Sequence, residues 1–144
     1  MPHGKAKRDF TKGKPLRPVA DTVLPNIPVR GKDWTVASEM LLQRIVRLDG
    51  EVNNESAAIV NASIRYLEKQ DPEKPIHLVI NSEGGYVTDG MSIVDTIRNC
   101  RCPIHTYTYG LAASMASVIF VVGNKRFMSP NAEIMIHQPL GGME

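Results

Sequence analysis

Short apolar segments alternate with amphipathic ones along the chain. Residues 76–80 are almost entirely apolar, which is typical of a strand covered on both faces of a sheet. The preceding segment can be capped by Asn53 or Asn54 and repeats apolar residues at helical spacing. Those apolar positions are Ala57, Val60, Ile64 and Leu67. The pattern therefore predicts a helix, ended by Asp71-Pro72, and then a buried strand.

Similar patterns extend over the rest of the chain. A glycine turn at residues 82–85 follows the buried strand, and Thr88 or Asp89 begins the next helix. The remaining predicted elements are a helix at 35–44, strands at 45–48 and 104–109, a helix at 112–122, and short strands at 125–128 and 133–137. Because strands and helices alternate repeatedly, we expect an α/β fold with a mainly parallel sheet.

Charge and proline content divide the chain into two parts. Residues 1–32 carry eight Lys or Arg against two Asp or Glu, whereas residues 33–144 carry nine against thirteen. Half of the ten prolines also lie within residues 1–28. We therefore predict a flexible basic, proline-rich tail at 1–32 and one domain at 33–144. The tail lacks the repeated interleaving of basic and aromatic residues that favours nucleic-acid binding.

Hydropathy excludes two classes of location. No apolar run approaches the ~18 residues that a membrane-spanning helix requires. The first basic residues are not followed by the apolar core of a signal peptide. We expect no membrane association and a cytoplasmic location, with the plastid stroma or a phage-infected cell as alternatives.

The two cysteines, Cys100 and Cys102, are separated by one residue. A disulfide across so short a spacing is strained, and no second ligand pair follows that would complete a metal site with His105. We expect reduced thiols at the entrance to a strand.

Ser114 stands just inside the predicted helix that follows the strand 104–109. Free backbone N–H groups at a helix start favour a developing oxyanion, so the position suits a nucleophile. A serine there can equally be a helix cap. The turn at 82–85 offers further free amides at the end of another strand, where ligands of α/β sheets gather. A serine nucleophile needs a base, and His137 is the best candidate, because His3 lies in the tail and His77 and His105 lie inside strands.

Three segments together resemble the ClpP family, the proteolytic subunits of the ATP-dependent Clp protease. They are residues 80–85 (INSEGG), 110–115 (GLAASM) and 134–142 (IMIHQPLGG), and the resemblance runs from about residue 34 to the chain end. It implies a ClpP/crotonase-like fold, with rings of seven subunits stacked around a closed chamber. Peptide bonds of unfolded proteins would be cut there through an acyl-enzyme, after a separate ATP-driven AAA+ unfoldase has delivered them.

By position, the resemblance implies that Ser114 is the nucleophile and His137 the general base. It also implies that the amides of Gly85 and Met115 form the oxyanion hole. Substrate would lie extended between the segments that begin at Gly85 and Gln138, and its main-chain pairing would read no side chains. The family requires no metal or organic cofactor.

The sequence departs from the family pattern in several places, and two of them bear on the proposed site. Glu83 stands where the family usually has proline, which makes the turn less rigid. Family members also continue beyond the histidine motif with a ring-joining helix and then the aspartate that orients the histidine. Asp89 and Asp95 come too early to match that aspartate. We therefore expect the chain to be a C-terminally incomplete subunit.

Two alternative functions follow from this comparison. One is a non-catalytic ClpP-like subunit or an inactive fragment that lacks the triad aspartate. The presence of both Ser114 and His137 argues against a non-catalytic subunit, because such a subunit has no chemical need for them. The other is a crotonase-type enzyme acting on acyl thioesters, which would share the fold. That second alternative is disfavoured by the serine and histidine motifs, which such enzymes do not use.

Overall fold

The computed structural model describes residues 35–139. Residues 1–34 and 140–144 lie outside the described part, and with them the predicted basic tail. The elements are α1 (Val36–Leu42), β1 (Ile45–Val52), α2 (Asn54–Gln70), β2 (Ile76–Gly85), α3 (Val87–Asn99), β3 (Ile104–Ala113), α4 (Met115–Val121), β4 (Lys125–Met128) and β5 (Glu133–Met135).

The strands form one parallel sheet. Its order is β1-β2-β3-β4, and β5 also pairs with β3. Both short strands lie along β3, β4 beside His105 to Thr108 and β5 beside Leu111 to Ala113. The alternating α/β architecture predicted from the sequence is therefore confirmed.

The hydrophobic core lies between one face of the sheet and the helices. Side chains at alternating positions of β2 (Ile76, Leu78 and Ile80) are fully buried there, together with the inward residues of α2, α3 and α4. The intervening residues of β2, His77 and Val79, are only half-buried. The expectation that both faces of this strand would be covered is therefore not met in the described part of the chain.

The opposite face of the sheet carries a cluster that we call the aromatic face, formed by His77, His105, Tyr107 and Phe127. The rings of Tyr107 and Phe127 stack with centroids 4.7 Å apart. The Tyr107 hydroxyl and His77 Nδ1 are hydrogen-bonded at 2.8 Å, and the His105 ring meets the His77 ring edge-on. The prediction that both histidines lie inside strands is confirmed.

Several element boundaries differ from the predicted ones because strand ends gain partners. Strand β1 continues past Gly50 to Val52, which pairs with Gly85. The glycine doublet is thus the end of strand β2 and not a tight turn. Strand β3 likewise continues to Ala113, since Ala112 pairs with Ser82.

Helix starts are refined in the same way. The side chain of Asn53, not Asn54, caps α2 by accepting a hydrogen bond from the Ser56 amide. Helix α3 begins at Val87, before the predicted Thr88 or Asp89, and its N-cap Tyr86 makes no side-chain cap bond.

Arg44 lies between α1 and β1 in the left-handed conformation, with φ 62°. Its side chain reaches across to the end of α2 and the loop after that helix. Its guanidinium donates to the carbonyl oxygens of Leu67 and Asp71 at 3.1 and 2.9 Å. It also donates to those of Lys74 and Pro75, at 2.9 and 3.0 Å. The Leu67 carbonyl also accepts the Asp71 N–H at the end of α2, whereas the other three carbonyls belong to the segment after that helix. One side chain therefore ties this segment to the helix end.

Cys100 and Cys102 are free thiols, as expected. Burial raises the pKa of the Cys100 thiol to about 11. Within residues 35–139 no group of three or more His, Cys, Asp or Glu side chains is placed to hold a metal ion. No helix in that part of the chain is long and apolar enough to cross a membrane.

Candidate active site

Ser114 occupies the junction between β3 and α4 in an unusual backbone conformation, φ 53° and ψ −122°. A non-glycine residue with positive φ is uncommon, and such strain costs on the order of 1–3 kcal/mol. Sharp strand-to-helix turns of this kind present a nucleophilic serine in hydrolases. Ser114 stands before the helix as its N-cap, and not inside the helix as predicted. Its side chain makes no cap hydrogen bond, which removes the capping explanation for this serine.

Backbone hydrogen bonds hold the Ser114 loop in place. The Ser114 N–H donates to the Met135 carbonyl oxygen at 2.8 Å, which ties the loop to β5, two residues before His137. The Ser114 carbonyl oxygen accepts from the Ser117 N–H at 3.0 Å and from Ser117 Oγ at 2.6 Å. The strained residue is therefore restrained on both sides.

The end of β2 approaches this loop closely at Gly84. A Cβ atom at Gly84, where φ is 93°, would lie 2.6 Å from the Ala113 carbonyl oxygen and 2.9 Å from the Met115 nitrogen. Only glycine fits here, because the position combines positive φ with backbone contact. The Gly84 N–H donates to Ser82 Oγ at 3.0 Å.

Gly85, whose amide was predicted for the oxyanion hole, lies against β1. A Cβ atom there would come within 2.9 Å of the Val52 backbone nitrogen and carbonyl carbon. The neighbouring Tyr86 N–H donates to the Val52 carbonyl oxygen at 2.8 Å. Gly85 is therefore held by β1 beside the serine loop, and it is Gly84 that contacts that loop.

A cavity of ≈ 230 Å³ brings Ser114, Met115 and His137 together. Its other lining residues are Val87, Met91, Ser117, Val118, Ile136 and Pro139. Several of the apolar residues are partly open to solvent, with 58% of Val87 and 40% of Val118 exposed. The cavity is therefore an open and mainly apolar cleft beside the serine.

His137 is exposed on the segment after β5, which ends at Met135. In residues 35–139 no hydrogen bond joins Ser114 Oγ to the His137 ring, although both border the cavity. None of the described lining residues carries a carboxylate. Asp89 borders a different surface pocket, with Asn53 and Tyr86.

The sequence patterns missed some residues that shape the cavity. Ser117 and Gly90 gave no signal, yet a Cβ atom at Gly90 would lie 2.8 Å from Met115 Cε, so glycine makes room for that side chain. The helical spacing of Met91 with Val94 and Ile97 predicted only that Met91 faces the core. The approach of Gly84 follows from β2 continuing as a paired strand to Gly85, which a glycine doublet does not indicate.

Comparison with known protein families identifies a matching family. The model of the family described as Clp protease matches residues 30–144. The match includes β2 with its glycine doublet, the Ser114 junction and the His137 segment. The chain therefore belongs to the Clp protease family.

Proposed function

We propose that this protein is a serine endopeptidase in which Ser114 is the nucleophile and His137 the general base. One observation carries the proposal above the others. Ser114 lies on a strained strand-to-helix junction, its hydroxyl makes no helix-cap hydrogen bond, and it borders the same cavity as His137. Membership of the Clp protease family supports the assignment.

In the proposed reaction, Ser114 Oγ attacks the carbonyl carbon of a peptide bond while the His137 imidazole takes the hydroxyl proton. The imidazolium then returns that proton to the leaving amine, and water hydrolyses the remaining ester by the reverse steps. In this proposal the hydrogen bond between His137 and Ser114 forms when substrate binds. Catalytic hydrogen bonds are often long before substrate arrives and tighten in the complex.

The amides of Met115 and Gly85 are the proposed donors to the oxyanion. Met115 is the first residue of α4, so its N–H has no partner within the helix. The Gly84 backbone packs against the Met115 nitrogen and brings the end of β2 beside it. Donors fixed in this way are worth about 10²–10³ in turnover when one is removed from a protease.

The apolar cleft indicates how substrate would bind. Val87, Met91 and Val118 offer a site for one apolar substrate side chain next to the scissile bond. The peptide main chain would run extended between the segments that begin at Gly85 and Gln138. Such pairing accepts many sequences, so unfolded proteins are the proposed substrates.

Further features of the proposal rest on family membership alone. They are assembly into seven-membered rings, delivery of substrate by a separate ATP-driven AAA+ unfoldase, and a cytoplasmic location. No metal or organic cofactor is proposed for the reaction.

Labelling with a fluorophosphonate probe tests the assignment. We expect the wild-type chain to be labelled, Ser114→Ala to lose all labelling, and His137→Gln to label much more slowly. Ser92→Ala, which changes an exposed serine of α3, serves as a matched control and should label like wild type.

A second candidate is a non-catalytic Clp-type subunit. It is favoured by the missing hydrogen bond between Ser114 and His137 and by the lack of a carboxylate among the described residues of the cavity. A folded wild-type chain that shows no labelling would support this candidate and overturn the peptidase assignment.

A further inference from the structure

Ser117 lies one helical turn after Ser114 and is only 3% exposed. Its hydroxyl donates to the Ser114 carbonyl oxygen at 2.6 Å, and its backbone N–H donates to the same oxygen at 3.0 Å. A single buried residue thus holds the carbonyl group of the proposed nucleophile with two hydrogen bonds.

The carbonyl that Ser117 holds belongs to the same peptide unit as the Met115 N–H. The peptide unit is planar, and the described residues contain no cis peptide bond. In a trans peptide the N–H points opposite to the C=O, so fixing the Ser114 carbonyl also fixes the direction of the Met115 N–H. A hydrogen bond to the carbonyl additionally polarises the peptide and makes its N–H a stronger donor.

The two hydrogen bonds from Ser117 act on a peptide whose neighbouring residue, Ser114, is in a strained conformation. Ser114 is in a sparsely populated conformation, φ 53° and ψ −122°, so its own torsional preference does not hold the peptide. On the other side, the Gly84 backbone lies so close that an added Cβ atom would be 2.9 Å from the Met115 nitrogen, so this backbone flanks the peptide.

We propose that Ser117 is a positioning residue that aims the Met115 N–H at the oxyanion of the reaction. It acts through the Ser114–Met115 peptide and does not take part in proton transfer. The inference rests on the proposed function, because it assigns Ser117 a role in the same site.

An ordinary alternative exists for such a serine. Serine hydroxyls often donate to a carbonyl one turn back in a helix without any functional consequence. That alternative predicts a change in stability alone, whereas the proposed role also predicts a change in turnover with little change in substrate binding.

The test compares wild type with Ser117→Ala and Ser117→Thr. Alanine removes the hydroxyl bond but keeps the backbone bond, whereas threonine keeps the hydroxyl at a position that borders the cavity. Ser63→Ala in α2 is a matched control, because Ser63 is 4% exposed and outside the cavity.

We expect Ser117→Ala to lower kcat for a peptide substrate about three- to tenfold, the loss typical of one hydrogen bond, with KM within about twofold of wild type. Ser117→Thr and Ser63→Ala should retain wild-type kcat. A folded Ser117→Ala variant with wild-type kcat would overturn the inference.

A second readout separates this inference from the proposed function. Selective ¹⁵N labelling of the seven methionines allows the Met115 amide to be assigned by a Met115→Leu variant. The Met115 amide resonance should shift in Ser117→Ala and stay close to wild type in Ser63→Ala. If wild type shows no hydrolysis, the peptidase assignment fails, and an unchanged Met115 resonance in Ser117→Ala would overturn the positioning role as well.

Discussion

Replacing Gly84 by alanine tests whether the close approach of β2 builds the serine loop. The new Cβ atom would lie 2.6 Å from the Ala113 carbonyl oxygen and 2.7 Å from Ser114 Cβ, both below normal contact distance. Neither neighbour can yield easily, because one is backbone and the other is the first side-chain carbon of the strained serine. The loop must therefore move away from β2.

The chain supplies a matched control for the backbone part of this change. Gly50 also has positive φ, 74°, but a Cβ atom there would meet nothing within 4 Å. Positive φ costs alanine about 1–2 kcal/mol, and the stiffer unfolded chain offsets roughly 0.4–1 kcal/mol of that. We expect Gly50→Ala to lower the free energy of unfolding by about 1 kcal/mol.

Gly84→Ala adds a packing conflict to the same backbone cost. Inserting a carbon into a well-packed site costs about 1–3 kcal/mol, so we expect a total loss of roughly 2–4 kcal/mol. Fluorophosphonate labelling of the folded variant should also fall at least tenfold, since the loop shifts both Ser114 and the Met115 amide. Gly50→Ala should label at the wild-type rate.

Urea denaturation and labelling rates measure the two effects separately. Equal midpoints for the two variants, with equal labelling, would refute the idea that β2 supports the serine loop. A Gly84→Ala variant that is destabilised but labels normally would show that the contact matters for stability alone.

Two further predictions concern regions outside the cavity. Arg44→Lys should lower the free energy of unfolding by about 2–3 kcal/mol, because a lysine cannot donate hydrogen bonds to all four carbonyls that the guanidinium binds. A urea midpoint equal to that of wild type would contradict this prediction. Burial lowers the pKa of His77 below its ordinary value of 6.5, and the charges of His105 and Arg44 lower it further. The Tyr107 hydroxyl is hydrogen-bonded to His77 Nδ1, and the charge of Lys125 acts on His105. The unfolded chain therefore binds more protons than the folded one below pH 6.5, so stability should fall as pH drops below 6.5. His77→Phe should flatten that decline in urea denaturation series, and an unchanged slope would contradict the assignment.

The parallel sheet was predictable because its signals are local. The apolar run at residues 76–80 and the helical spacing before it fix one strand and one helix. Their order along the chain then leaves few arrangements other than a parallel sheet. Family resemblance pointed to Ser114 as nucleophile and His137 as base, and in the structure both residues border one cavity.

The shape of the serine junction was not predictable from local signals. Ala112 and Ala113 are strong helix formers, so the sequence favoured a helix from residue 112. In the structure they belong to β3, because pairing with Ser82 and with β5 outweighs their intrinsic preference. A glycine doublet similarly suggests a turn, whereas Gly84 and Gly85 are needed for close approach between backbones.

The hydrogen bond from the Ser114 N–H to the Met135 carbonyl couples the serine loop to the stability of β5. Strand β5 has only three residues, all exposed, and holds to the sheet through β3 alone within the described chain. Such a segment detaches at far lower cost than the buried strands, without global unfolding. The proposed reaction rate is then multiplied by the fraction of time that β5 is docked. Any contact that covers β5 should raise this fraction, and with it the rate of the proposed reaction, without touching Ser114.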